Sequence, residues 1–136
     1  MKTIPNEITN KIPPGHKNNI LWNAGHILVG WDNTIYTIIG EARKLDPSYH
    51  LMFPRGTSPK EWTGNPPSLN EIIELLESQI SNMEVACKGK LKTPLKQSFL
   101  GMETVEEMIL FHMNHENFHM GIVKGMRQAL GVVDEI

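Results

Sequence analysis

The chain has 136 residues, 40% of them apolar, enough to bury one core and too few to divide comfortably, so one domain over 1–136 is expected. Its 13 Lys and Arg stand against 15 Asp and Glu, and no basic run gathers the field that nucleic acid or an anionic membrane surface needs, so neither partner is expected. MKTIPNEITNKIPPG lacks the apolar core of a signal peptide, and no stretch approaches the ~20 apolar residues of a bilayer span, so the expectation is a soluble, cytoplasmic protein. The lone Cys87 forms no internal disulfide, which fits a reducing compartment.

In chain order, the first long helix is predicted from Asn18 or Asn19, both good N-cap residues, to about Lys44, before Asp46 and Pro47. Leu21, Ala24, Leu28, Trp31, Ile35, Ile38 and Ala42 make one apolar stripe, and Trp22, His26, Val29 and Tyr36 occupy the nearly opposite side. A helix apolar on both sides is buried on both. One side is expected to face the bundle and the other a second subunit or a missing helix. From Pro47 to Pro67 runs a Pro-, Gly- and Ser-rich connection, long for a compact domain.

The middle helix is predicted from the Ser68/Glu71 capping box to about Lys88, before Gly89. Leu69, Ile72, Ile73, Leu76, Ile80, Met83 and Cys87 form its core stripe, which makes Cys87 a small core residue rather than a reactive thiol. A second long link, Gly89 to about Glu103, shows little strand pattern. The last helix is predicted from a Thr104/Glu107 capping box over Val105 to Leu130, closed by Gly131. Its inner face carries Met108, Ile109, His112, His119, Ile122, Val123, Met126 and Leu130. The class is all-α, and two long links suit a bundle with crossover connections.

Chemistry concentrates in His112-Met-Asn-His115-Glu116-Asn-Phe118-His119. Residues four apart stand one above the other on a helix, so the imidazoles of His115 and His119 converge on one point. A core histidine is more often hydrogen-bonded than metal-bound, but two buried imidazoles without a shared purpose cost desolvation twice, which favours a metal pair. His112 lies about two turns, roughly 10 Å, from His119 and is assigned to the pocket wall. His16 and His50 carry no spacing signal and are read as surface residues. The same segment satisfies H-E-x-x-H, in which Glu116 is a peptidase's general base; the alternative makes Glu116 a carboxylate that hydrogen-bonds a ligand histidine or borders the pocket.

Asn18-Asn-Ile-Leu-Trp-Asn-Ala-Gly-His26-Ile-Leu28, the phrase Pro66-Pro-Ser-Leu-Asn-Glu-Ile72, and His115-x-x-x-His119-x-Gly121-Ile122 resemble, in this order, the DinB-like superfamily. The resemblance implies a four-helix bundle in which one histidine of the second helix and an H-x-x-x-H pair of the last bind a divalent metal, zinc or nickel. Residue by residue, these are His26, His115 and His119; His26 is selected by the resemblance and not by spacing. Only about a dozen residues precede Ile12-Pro-Pro-Gly-His-Lys-Asn-Asn-Ile20, so most of the family's first helix is expected to be lacking and a homodimer is expected to complete the bundle.

Three imidazoles leave a coordination position open, which suits catalysis more than structure. Relatives include transferases and isomerases that use bacillithiol or mycothiol, and metal-dependent hydrolases. The resemblance therefore implies a metal-dependent thiol S-transferase or hydrolase acting on a small molecule with a low-molecular-weight thiol; in that mechanism Trp22, His112 and Phe118 are expected to shape the pocket, a role the resemblance does not supply. The alternatives are a noncatalytic, stress-associated metal-binding or dimerisation module and, third, a metallopeptidase.

Overall fold

Asn19 opens the central helix: its side chain accepts the amide of Trp22 at 2.7 Å, and helix α2 runs from Ile20 to Ile38. The computed structural model describes residues 4–132; the ends of the expected domain, residues 1–3 and 133–136, lie outside the described residues. A single helical turn, α1 (Asn6–Thr9), precedes α2, and α3 (Tyr49–Met52) and a 3₁₀ turn (Pro59–Glu61) follow it. Then come α4 (Leu69–Cys87), an antiparallel hairpin of β1 (Pro94–Phe99) and β2 (Met102–Thr104), and α5 (Val105–Ala129). The architecture is all-α, three long helices with one small hairpin. Among the described residues no helix is long and apolar enough to cross a membrane.

α2 ends six residues before the predicted Lys44. Gly40, at φ +80°, follows the C-cap Ile39, and the amides of Gly40 and Glu41 return to the carbonyls of Thr37 and Tyr36, closing the helix in a left-handed cap. Beyond it the chain is pulled back by Asp32, whose fully buried carboxylate accepts the Lys44 amide at 2.7 Å, the Leu45 amide at 3.4 Å and His50 Nε2 at 2.7 Å. His50 is thus no surface residue: its side chain is 10% exposed, against a buried carboxylate.

α2 is buried on both its apolar sides, with Asn33 and Thr37 exposed, but the second side does not face a missing helix. It is covered by the chain's own 45–62 segment, where Phe53, fully buried, packs with Trp22, Val29, Tyr49 and Trp62. Gly25 makes this possible: a Cβ there would collide with the Phe53 ring.

The other side of α2 packs against both α4 and α5, while α4 and α5 make few direct contacts with each other. Gln79 ties α4 to α2 through the Leu28 carbonyl at 3.1 Å. Between the three helices runs a groove of about 820 Å³, lined chiefly by apolar side chains including Trp31, Ile35, Leu76, Ile80, Met83 and Ile109. Ile80, expected in the core, is 65% exposed on its rim. Cys87 is buried in the core.

The Ser68/Glu71 capping box forms with both its bonds. The Thr104/Glu107 box does not: Thr104 makes no side-chain cap, and Glu107 instead accepts the Glu103 amide at 2.6 Å. The hairpin stands directly before α5, and β2 ends on Thr104. Its two-residue loop places Leu100 and Gly101 at φ 49° and 82°, the left-handed pair that a tight hairpin demands.

Candidate metal centre

α2 and α5 bring three imidazoles together. The ring centroids of His26 and His119 lie 4.7 Å apart, those of His26 and His115 5.2 Å, and those of His115 and His119 4.6 Å. One nitrogen from each falls within 4.8 Å of the other two. The i, i+4 spacing on α5 produces the first pair, and His26 meets it because α2 packs directly on α5.

Hydrogen bonds fix which nitrogen His26 and His119 offer. His26 Nδ1 donates to the Phe53 carbonyl at 2.8 Å, an atom that only accepts, so its Nε2 keeps a lone pair. Asn23 Nδ2 donates to the Asn19 carbonyl at 2.8 Å, which turns Asn23 Oδ1 toward His119; His119 Nδ1 then donates to it at 2.8 Å and its Nε2 is likewise free. That nitrogen stands 3.2 Å from His115 Nε2. Two ligands of one ion at about 2.0–2.1 Å are that far apart when they subtend roughly 100°, so the donor set fits a first-row transition ion. Anchoring of a ligand's far nitrogen by a carbonyl or amide oxygen is what an orienting outer shell does.

Burial lowers the pKa of all four histidines of this region, with neighbouring imidazoles adding to the effect on three. His112 and His119 fall to about 4, in each case mainly by desolvation. These rings are therefore neutral at pH 7, the state in which imidazole binds metal. The same shifts set a stability profile. As pH falls below 6.5 the unfolded chain binds protons on these rings while the fold keeps His112 and His119 neutral, so the metal-free protein loses stability down to about pH 4 and no further from this source. Thermal unfolding of chelator-treated protein at steps between pH 7 and 4 is expected to show this fall, and His112→Leu to flatten part of it. An identical profile in that variant would remove His112 from the account.

His112 is 6% exposed and forms a wall: its ring lies 5.1 Å from that of Trp31, beside Gly30, and its Nε2 has no hydrogen-bond partner. Trp22 stacks on His26 at 4.6 Å and 11°, holding the ring's plane. Phe118, 65% exposed, meets His119 edge-on at 5.3 Å. His16 lies in the segment ahead of α2 and is exposed.

Glu116 does not bond a ligand histidine. Its Oε2 accepts the Trp31 indole N–H at 2.9 Å, and it lines the apolar groove. Glu116→Gln keeps an acceptor for that indole, so the expected change in stability is about 1 kcal/mol or less and metal content stays the same. A peptidase whose general base was Glu116 would lose roughly 10²–10⁴ in turnover.

Asn23, Gly25 and the Phe53 carbonyl were not singled out as orienting groups by sequence reasoning. The phrase Asn23-Ala-Gly25-His26 carried the signal, since each of its polar or permissive members serves the cluster: Asn23 orients His119, and Gly25 admits Phe53, whose carbonyl orients His26.

The fold and the cluster define a helical protein with a three-histidine centre suited to a metal ion. A model of the DinB superfamily matches residues 1–123, and the chain belongs to that superfamily. No curated protein matches the chain.

Proposed function

We propose that His26, His115 and His119 bind one zinc or nickel ion and that the protein is a metal-dependent thiol S-transferase or hydrolase of the DinB type. The observation that carries this reading is the convergence of three imidazole nitrogens, with His26 and His119 each anchored through Nδ1 to an oxygen. A bound ion with an open position lowers the pKa of water to about 7 or holds a thiol as thiolate. The chain's own residues do the rest: Asn23 and the Phe53 carbonyl hold the imidazole orientations, Trp22 fixes the plane of His26, and His112 and Trp31 close one wall. The expected homodimer belongs to the same proposal and has the open α2–α4–α5 groove in its support; a monomeric mass by light scattering removes it.

Elemental analysis of the native protein after zinc or nickel supplementation tests the centre; the absence of stoichiometric metal overturns it. Conjugation of a bimane-type electrophile to low-molecular-weight thiols, run beside casein cleavage, tests the reaction class. Metal binding with neither activity leaves the noncatalytic metal-binding module standing.

A further inference from the structure

Beside the histidine cluster lies a second, smaller cleft of about 280 Å³, lined by His26, Val29, Gly30, Asn33, Arg43, His50, Pro54 and Arg55. Its polar lining supplies donors and two full positive charges, and no carboxylate is among the lining residues. Asp32, the acidic group nearest in the fold's logic, is fully buried and consumed by the Lys44 and Leu45 amides and His50. Glu41 pairs with Lys44 at 3.7 Å. Arg43 and Arg55 have no ion pair or hydrogen bond among the described residues.

Two guanidinium groups lining one cleft without a carboxylate partner favour an anion there. The fold also builds toward this arrangement. The buried Asp32 draws the segment after α2 back onto the helix, which carries Arg43 to the cleft. Arg55 follows Phe53 by two residues, so the segment whose carbonyl orients His26 also presents the second arginine. His26 is common to both places: it lines the cleft and belongs to the cluster.

We infer that Arg43 and Arg55 bind the anionic group, carboxylate or phosphate, of the small molecule that reacts at the histidine cluster. This rests on the metal-dependent reading of that cluster and names the substrate class it lacks. A volume of about 280 Å³ is at the lower edge of ligand pockets, so the cleft takes the charged end of the molecule and leaves the remainder to extend past His26. Guanidinium groups match both carboxylate and phosphate by paired N–H donors.

The test is an NMR titration of ¹⁵N-labelled full chain at low salt with succinate, inorganic phosphate and, as the neutral control, succinamide, each with and without zinc. Succinate or phosphate is expected to shift resonances of residues 26–33, 43 and 50–55, and the larger response identifies the preferred anion. Succinamide is expected to have no effect. Both arginines are exposed, so R43Q/R55Q is expected to keep its spectrum and its zinc while losing at least tenfold in anion affinity; K96Q, on the hairpin, keeps the affinity. Single R43Q and R55Q variants serve if the double variant unfolds. Shifts scattered over surface lysines, or affinity unchanged in R43Q/R55Q, overturn the inference while leaving the metal centre intact. Arginine-dependent anion binding in a protein that takes up no zinc instead sinks the metal reading and leaves the anion site.

Discussion

His119→Ala is expected to abolish the proposed stoichiometric metal binding, because it removes one of the three convergent nitrogens and unties the side chain that meets Asn23 Oδ1 from α5. The two losses separate experimentally. At a metal concentration a thousandfold above Kd, the native protein gains about 4 kcal/mol of stability through binding, and the variant gains none. Without metal, the variant loses about 1–3 kcal/mol through the stranded, buried Asn23 oxygen, together with the packing of the buried His119 ring. Asn23→Ala is the intermediate case: all three histidines remain, but His119 loses its orienting acceptor, so metal affinity is expected to fall by roughly 10–100-fold. Calorimetric titration with zinc, alongside thermal unfolding with and without chelator, reads both effects. A His119→Ala protein whose Tm still rises with zinc as the native one does would place the ion elsewhere.

Gly25→Ala is expected to be the most damaging single-methyl change in the chain. The added Cβ runs into the ring of Phe53, which is fully buried between Tyr49 and Trp62 and has no open space to enter. Overpacking of this kind costs about 1–3 kcal/mol or more. The damage reaches the centre as well, since a displaced Phe53 takes its carbonyl away from His26 Nδ1. Two other helical glycines are the controls. At Gly30 the nearest atom to a new Cβ is His112 Nδ1 at 3.9 Å, and at Gly121 nothing lies within 4 Å, so alanine is expected to be tolerated at both. At Gly121 it gains roughly 0.5–1 kcal/mol from the helix alone. Urea midpoints for the three variants, with zinc affinity for each, check the ordering; equal midpoints for Gly25→Ala and Gly30→Ala would mean that Phe53 is not held as described.

The helices were most legible where caps and periodicity agree. α4 begins at its Ser68/Glu71 box and ends one residue before the predicted Lys88, and α5 begins at Val105 as expected. α2 began where Asn19 indicated and stopped early, at the Gly40 cap that the apolar run Ile35–Ile39 had concealed. The hairpin went unread because its loop is Leu100-Gly101 instead of Asn-Gly or Asp-Gly, and because its strands are mostly exposed and lack alternation. Within the site, the convergence of His115 and His119 follows from helix geometry alone. The approach of His26 depends on how α2 crosses α5, which no local spacing encodes, and only the resemblance pointed to it. The burial of His50 was illegible for the same reason: its partner, Asp32, lies eighteen residues away. Glu116 illustrates the opposite case, a motif that matches on spacing while the side chain accepts the Trp31 indole N–H.

The stack of Trp22 on His26 gives the molecule its own optical gauge. An indole in van der Waals contact with an imidazole is quenched when that imidazole, or an open-shell ion upon it, offers its excited state a route to the ground state; a closed-shell ion offers none. Nickel and zinc would therefore leave different signatures in the emission of Trp22, whereas the indoles of Trp62 and Trp31 are engaged by the Met52 carbonyl and Glu116. Spectroscopy of a Trp31→Phe/Trp62→Phe protein, which keeps Trp22 alone, thus distinguishes the occupying element as well as the fact of occupancy.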